Sequence, residues 1–183
     1  MTRKDKTQLS HWNKLINTDC KVYKIGKHYI YPIFKNGSSS LNKIEKQVFF
    51  NEDIARCEDI HVLIRDPAIR FVSGVNEYTK QHNLDITEVM AEINDGKLMN
   101  RHFSPQWIWL LHLRKFYNGR VILRDFSNIK DYSNVRTKKE DIKITVDVPA
   151  EFVTADSHLK KHFDKPISLD VIIKECKNAL SAA

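Results

Sequence analysis

No stretch of this 183-residue chain approaches the ~20 consecutive apolar residues that a membrane-spanning helix needs. Its start, Met1-Thr-Arg-Lys-Asp-Lys6, leads into further polar residues and not into the apolar core of a signal peptide. The expectation is a soluble, cytoplasmic protein with no membrane span. Cysteine is scarce as well: Cys20, Cys57 and Cys176 are widely spaced and odd in number. That excludes a disulfide framework and a Cys-x-x-Cys metal site, and it leads us to expect reduced thiols and no bound metal. Internal repeats, low-complexity tracts and linkers are missing too, so residues 1–183 read as one domain, close to the ~150 residues usual for one.

Hydrophobic residues make up 42% and charged residues 29%, ordinary values for a globule with a real core. The net charge of +7 implies an anionic partner, which could be a nucleic acid, a membrane, a polyanionic glycan or a phosphorylated cofactor. Because the positive residues are spread along the chain, without one basic face interleaved with aromatics, a nucleic-acid-binding module is the weaker reading.

The most informative stretch is Lys35-Asn36-Gly37-Ser38-Ser39-Ser40-Leu41. It follows the apolar run Tyr29-Ile-Tyr-Pro-Ile-Phe34 and opens a helix-like segment, Asn42 to Phe50. A strand that empties through a small Gly/Ser turn into a helix offers free backbone N–H groups and a positive dipole end to an anion. A nucleotide-dependent phosphotransferase would want Gly-x-x-x-x-Gly-Lys-[Ser/Thr], with the lysine behind the second glycine. Here the lysine precedes the turn's only glycine, so that alternative is disfavoured.

A second strand-to-helix passage follows, Val62-Leu-Ile-Arg65-Asp66-Pro67-Ala-Ile-Arg70-Phe71-Val-Ser73-Gly-Val-Asn-Glu77-Tyr78. Arg65 ends the strand and Pro67 suits the first helical turn. Ser73 falls two turns on, where it can face the same cleft as the first loop. Two anion sites beside one parallel sheet suit a nucleotide phosphorylated at two places.

The pair resembles the 5′-phosphosulfate loop and the 3′-phosphate motif, Arg-Asp-Pro-x-x-Arg-Phe-x-Ser, of sulfotransferases that use 3′-phosphoadenosine 5′-phosphosulfate (PAPS). Arg101-His102-Phe103-Ser-Pro105-Gln106 is similar to the His-[Trp/Phe]-x-Pro-Gln element of carbohydrate sulfotransferases and their bacterial relatives. Val121-Ile-Leu-Arg-Asp-Phe126, with Asn128 to Tyr132 behind it, resembles the strand and acidic turn that come next in that group. The likeness spans residues 28–135.

The resemblance implies an α/β, three-layer, P-loop-like fold: a central, mainly parallel sheet flanked by helices, with donor bound at the C-terminal strand ends. It implies a transferase that moves the sulfuryl group of PAPS to a hydroxyl, on a glycan or glycolipid, without nucleic acid as partner. Asn36, Gly37, Ser38, Ser39, Ser40 and Leu41 would cradle the 5′-phosphate, and Arg65 and Ser73 would grip the 3′-phosphate. Lys35 would contact the bridging oxygen and stabilise the leaving phosphate. His102 has the best claim to be the base, with structural positioning as its alternative and with Glu45 and Glu77 as fallbacks. Arg70 reads as a brace for the loop.

Along the chain we expect an N-terminal arm over residues 1–27, a PAPS-binding core over 28–135, and a C-terminal strand and helix over 136–183. Strands are expected over 28–34, 61–65 and 120–126, and a half-exposed strand over Ile142–Val148. Helices are expected over 39–50, from Pro67 to His82, over 87–95 behind the Asp85 cap, over 104–117, and over 169–180. Trp107 and Trp109 read as core, or as platforms for a sugar ring. His158, Lys160, Lys161, His162 and Lys165 form a basic cluster, read as a solvated face or as a lid over an anionic acceptor.

Overall fold

The computed structural model describes residues 18–132 and 146–182. The first strand, β1 (Lys21–Ile25), lies inside the segment expected to be an arm, and it makes a hairpin with β2 (His28–Tyr31). Ile25 pairs with His28, so the hairpin closes through Gly26 and Lys27, with Gly26 at φ 57°. Alternating basic and apolar residues in Lys21-Val-Tyr-Lys-Ile25 bury Val22 and Tyr23 on opposite sheet faces, which an arm over the surface would not do.

The helix expected over 39–50 is a single turn, α1 (Ser38–Leu41), and the rest becomes strand β3 (Gln47–Phe50). Val48-Phe49-Phe50 favours a pleated surface, and β3 pairs antiparallel with β1. The Phe49 ring packs edge-on to Tyr29 at 5.6 Å, and the Lys21 ammonium lies 5.4 Å from the Phe50 ring centre. These aromatic contacts outweigh the weak helical periodicity.

The parallel heart comes next. β4 (Ile60–Ile64) pairs with β2, and β5 (Arg120–Asp125) pairs with β4. A short β6 (Pro166–Ser168) closes the other edge antiparallel to β5, giving the order β3-β1-β2-β4-β5-β6. The sheet is therefore mixed and not mainly parallel: β1 and β6 run against the three-stranded parallel centre, and β3 pairs only with the reversed β1, so three of the five pairings are antiparallel. The stretch Ile142–Val148 lies largely outside the described residues.

Helices α2 (Pro67–His82), α3 (Ile86–Asn94), α4 (Gln106–Arg114), α5 (Ala150–Ser157) and α6 (Leu169–Ala182) complete the chain. Asp66 caps α2 by accepting from the N–H groups of Ala68 and Ile69, and Asp85 caps α3 through Thr87 and Glu88. All five helices pack on one face of the sheet around Val22, Tyr31, Val62 and Ile64. The other face buries Tyr23, Ile30 and Leu63 under Leu41 of α1 and under Ile129 and Tyr132. Among the described residues that second face is covered by α1 and a 3-10 turn, Phe126–Asp131, so a full third helical layer is not seen there.

Candidate functional site

β2 and β4 are parallel neighbours, so the chain leaves both at the same end of the sheet, one strand spacing apart. That single fact brings the Lys35 turn beside Arg65. The Arg65 guanidinium donates to the Lys35 carbonyl at 3.4 Å and lies over the Phe126 ring, 5.3 Å from its centre. Lys35 reaches along α2, where its ammonium pairs with the Glu77 carboxylate.

The turn itself is tight and partly strained. Lys35 sits at φ 69° and Gly37 at φ 78°. A left-handed residue with a side chain costs roughly 1–2 kcal/mol, so the surroundings must hold Lys35 there. Gly37 has a further reason: a Cβ would lie 2.3 Å from Ile129 Cδ1 and 3.0 Å from Phe126 Cε2. The backbone is pressed against the 3-10 turn that follows β5.

Of the cradle residues, Ser38 and Ser40 are half-buried and Ser39 is exposed, whereas Leu41 is wholly buried. The N–H groups of Ser40 and Leu41 donate to Gly37 O at 2.9 and 3.0 Å, and that of Asn36 donates to Ile33 O at 3.0 Å. The N–H groups that open α1 have no partner within it, so the anion-binding capacity of this loop lies at Gly37, Ser38 and Ser39. α1 is too short for a strong dipole, leaving backbone N–H groups, hydroxyls and Lys35 as the donors.

Asn36 faces inward instead. Its amide donates to Leu63 O at 2.7 Å and to Gln106 Oε1 at 2.5 Å. Gln106 also accepts from Arg65 N at 2.9 Å and donates to Arg65 O at 2.9 Å. Gln106 thus clamps the exits of β2 and β4 together. α4 begins at Gln106 behind Pro105, which supplies no capping side chain. The cap comes from Asp156 on α5, whose carboxylate accepts from Gln106 N at 2.6 Å and from Trp107 N at 2.8 Å. Burial pushes the Asp156 carboxyl up to about 6, against the pull of these N–H groups and of Arg70.

Arg70 braces the same region, as expected. It is fully buried, donates to Phe34 O at 3.0 Å and to Ser104 O, and so ties the approach to Lys35 to the approach to Gln106. Burial lowers it to about 10, yet it stays charged at neutral pH.

His102 is buried against Phe34, with ring centres 4.9 Å apart, and its Nδ1 lies 3.9 Å from Glu77 Oε1. Burial first, then the charges of Lys35 and Arg101, push it down to about 4. It is a neutral imidazole at physiological pH. Ser73 is buried one residue before Gly74, where a Cβ would meet the His102 carbonyl oxygen at 2.1 Å. α2 therefore approaches the His102 backbone directly, which brings Lys35, Glu77 and His102 into one group. Glu45, a fallback base, is exposed beyond α1 and outside that group.

A cleft of about 360 Å³ opens beside the turn, walled by Ser38, Ser39, Phe34, Arg101, Trp109 and Lys21 among others. Trp107 is core, while Trp109 stacks on Phe34 at 6.4 Å and donates from its indole to Ser104 Oγ at 2.9 Å. From the basic cluster, Lys160 reaches Asp66 at 3.1 Å, Lys161 meets His158 at 3.0 Å, and His162 meets Glu175 at 2.7 Å. Cys20, Cys57 and Cys176 are buried and unbridged. Among the described residues no group of three or more His, Cys, Asp or Glu could hold a metal, and no helix is long and apolar enough to cross a membrane. No family model, characterised protein or solved structure matches the chain.

Proposed function

We propose that this chain is a sulfotransferase that moves the sulfuryl group of PAPS to a hydroxyl acceptor on a glycan or glycolipid. The observation that carries the reading is the contact between the two motifs: Arg65 bonds to the Lys35 backbone, so one nucleotide phosphorylated at both ends could engage both. The parallel β2–β4–β5 centre, with both loops at its C-terminal end, supports a P-loop-like donor site.

In this reading Gly37, Ser38 and Ser39 hold the 5′-phosphate, and Arg65 and Ser73 hold the 3′-phosphate. Lys35 exchanges Glu77 for the bridging oxygen, where negative charge grows as the sulfur–oxygen bond to the phosphate breaks. The acceptor enters along the cleft walled by Phe34, Arg101 and Trp109. Its oxygen bonds to sulfur as neutral His102 takes its proton, and 3′-phosphoadenosine 5′-phosphate (PAP) departs. The residues need no metal for this, and the buried thiols suit a cytoplasmic setting.

Thermal-shift titration tests the reading. PAP should raise the melting temperature where ATP does not, by the equivalent of ~2.7 kcal/mol at a hundredfold excess over its dissociation constant. Equal stabilisation by ATP, or none by PAP, would contradict it.

A further inference from the structure

Four buried polar side chains, drawn from four separate segments, meet beneath the Lys35 turn. Asn36 comes from the turn itself, Gln106 from the start of α4, Arg70 from α2 and Asp156 from α5. All four are at most 2% exposed. Asp156 is the unexpected member, because it lies fifty positions beyond Gln106, in a segment outside every recognised motif. A buried carboxylate is costly to keep, and an apolar residue at the same place would cost nothing in desolvation. Its bonds explain what it does: both oxygens are committed to the N–H groups that open α4, and one lies 3.3 Å from the Gln106 side-chain nitrogen.

The consequence runs outward in two steps. Asp156 fixes the position of Gln106, and Gln106 fixes Asn36 through one oxygen that also receives Arg65 N. Asn36 lies between the two left-handed residues Lys35 and Gly37, so its place sets the direction of the lysine and of the cradle. We infer that Asp156 is a positioning residue for the donor site, acting through Gln106 and Asn36 to hold the Lys35 turn in its binding geometry. This rests on the PAPS reading for its ligand, but the structural link from Asp156 to Asn36 stands independently of what the turn binds.

The charged and titratable groups that face Asp156 are Arg70 from α2 and the Cys176 thiol from α6, and neither titrates near neutral pH. The link can therefore be followed in the unaltered protein. With isotope-labelled full-length chain, the side-chain amide signals of Asn36 and Gln106 should both shift with one midpoint, about 6, as Asp156 takes up its proton. Signals at Asn36 that stay flat across the pH range in which the Asp156 carboxyl carbon itself titrates would overturn the inference. Asp156→Asn supplies the second arm. It keeps the shape but loses one acceptor, so the Asn36 titration should vanish and PAP should bind ~10- to 100-fold more weakly, in a chain still folded by circular dichroism. Unchanged PAP affinity in a folded variant would also overturn it. If Asp156→Asn does not fold, the titration of the unaltered protein decides alone. If the unaltered protein does not bind PAP, the PAPS reading fails while the amide titration still decides the positioning role.

Discussion

The side-chain amide of Asn36 donates to Gln106 Oε1 at 2.5 Å, although the residues are seventy positions apart and both are buried. Truncating Gln106 to alanine removes three hydrogen bonds at once, one from the Asn36 amide and one to each backbone group of Arg65. At about 0.5–1.5 kcal/mol for each lost bond, Gln106→Ala should lose about 1.5–4.5 kcal/mol in a urea titration. A loss within ~0.5 kcal/mol, the range of an ordinary surface change, would show that the clamp is dispensable.

Lys35→Ala should lower turnover by ~10²–10³ while leaving PAP affinity much less affected, because the charge it meets grows only in the transition state. Arg65→Ala should show the opposite pattern, weaker donor binding with smaller loss at saturation. Steady-state kinetics with varied donor separates the two. Full turnover in Lys35→Ala would remove that residue from the chemistry.

Gly74→Ala should destabilise the fold by about 1–3 kcal/mol, since the added methyl meets the His102 carbonyl oxygen at 2.1 Å and backbone must move. Gly74 lies inside α2 without a positive φ, where alanine would otherwise be favoured by about 1 kcal/mol, so the loss comes from this contact. A Gly74→Ala melting temperature no lower than that of the unaltered chain would show that the contact of α2 with the His102 segment yields freely.

Acid should weaken the fold in a defined window. His61 and His102 sit at about 4, below the ordinary 6.5, and His28 and His112 are displaced the same way, in each case chiefly by burial. The folded state thus prefers them neutral, so their contribution is full above 6.5 and is lost as pH falls towards 4. Asp156 has the reverse sign: its raised value favours the folded state as pH drops below about 6. Four histidines against one aspartate give a net loss, readable as melting temperature against pH, and His102→Asn should make that loss shallower.

The cysteines should be unreactive. Burial pushes Cys20 up to about 12 and Cys57 up to about 11, and raises Cys176 as well, so thiolate is scarce at neutral pH. Alkylation monitored by mass should be slow in the native chain and quick after denaturation. Fast native labelling at Cys57 would show that its surroundings open.

Much of the fold was legible where local signals were strong. The apolar run before Arg65, Pro67 in the first turn of α2 and the Asp85 cap are local chemistry, and those elements stand within a few residues of where they were expected. Lys21–Ile25 hid its strand because its basic residues alternate, and Val48-Phe49-Phe50 left the expected helix because its cross-strand partners lie in that same hidden strand. The site was legible in part. Lys35, Arg65 and His102 are brought to one region, Ser73 is buried in α2, and Asn36 and Leu41 face the interior. Gln106 carried a motif signal without a role. Asp156 carried none, because a buried carboxylate capping a helix from another segment leaves no spacing to read.

Calorimetric titration of PAP and of 5′-AMP tests most directly whether a single nucleotide spans both motifs. The account predicts that PAP binds at least ~10-fold tighter to the unaltered chain and that Arg65→Ala erases most of that preference. Equal affinities for the two nucleotides, or a preference that survives Arg65→Ala intact, would contradict it.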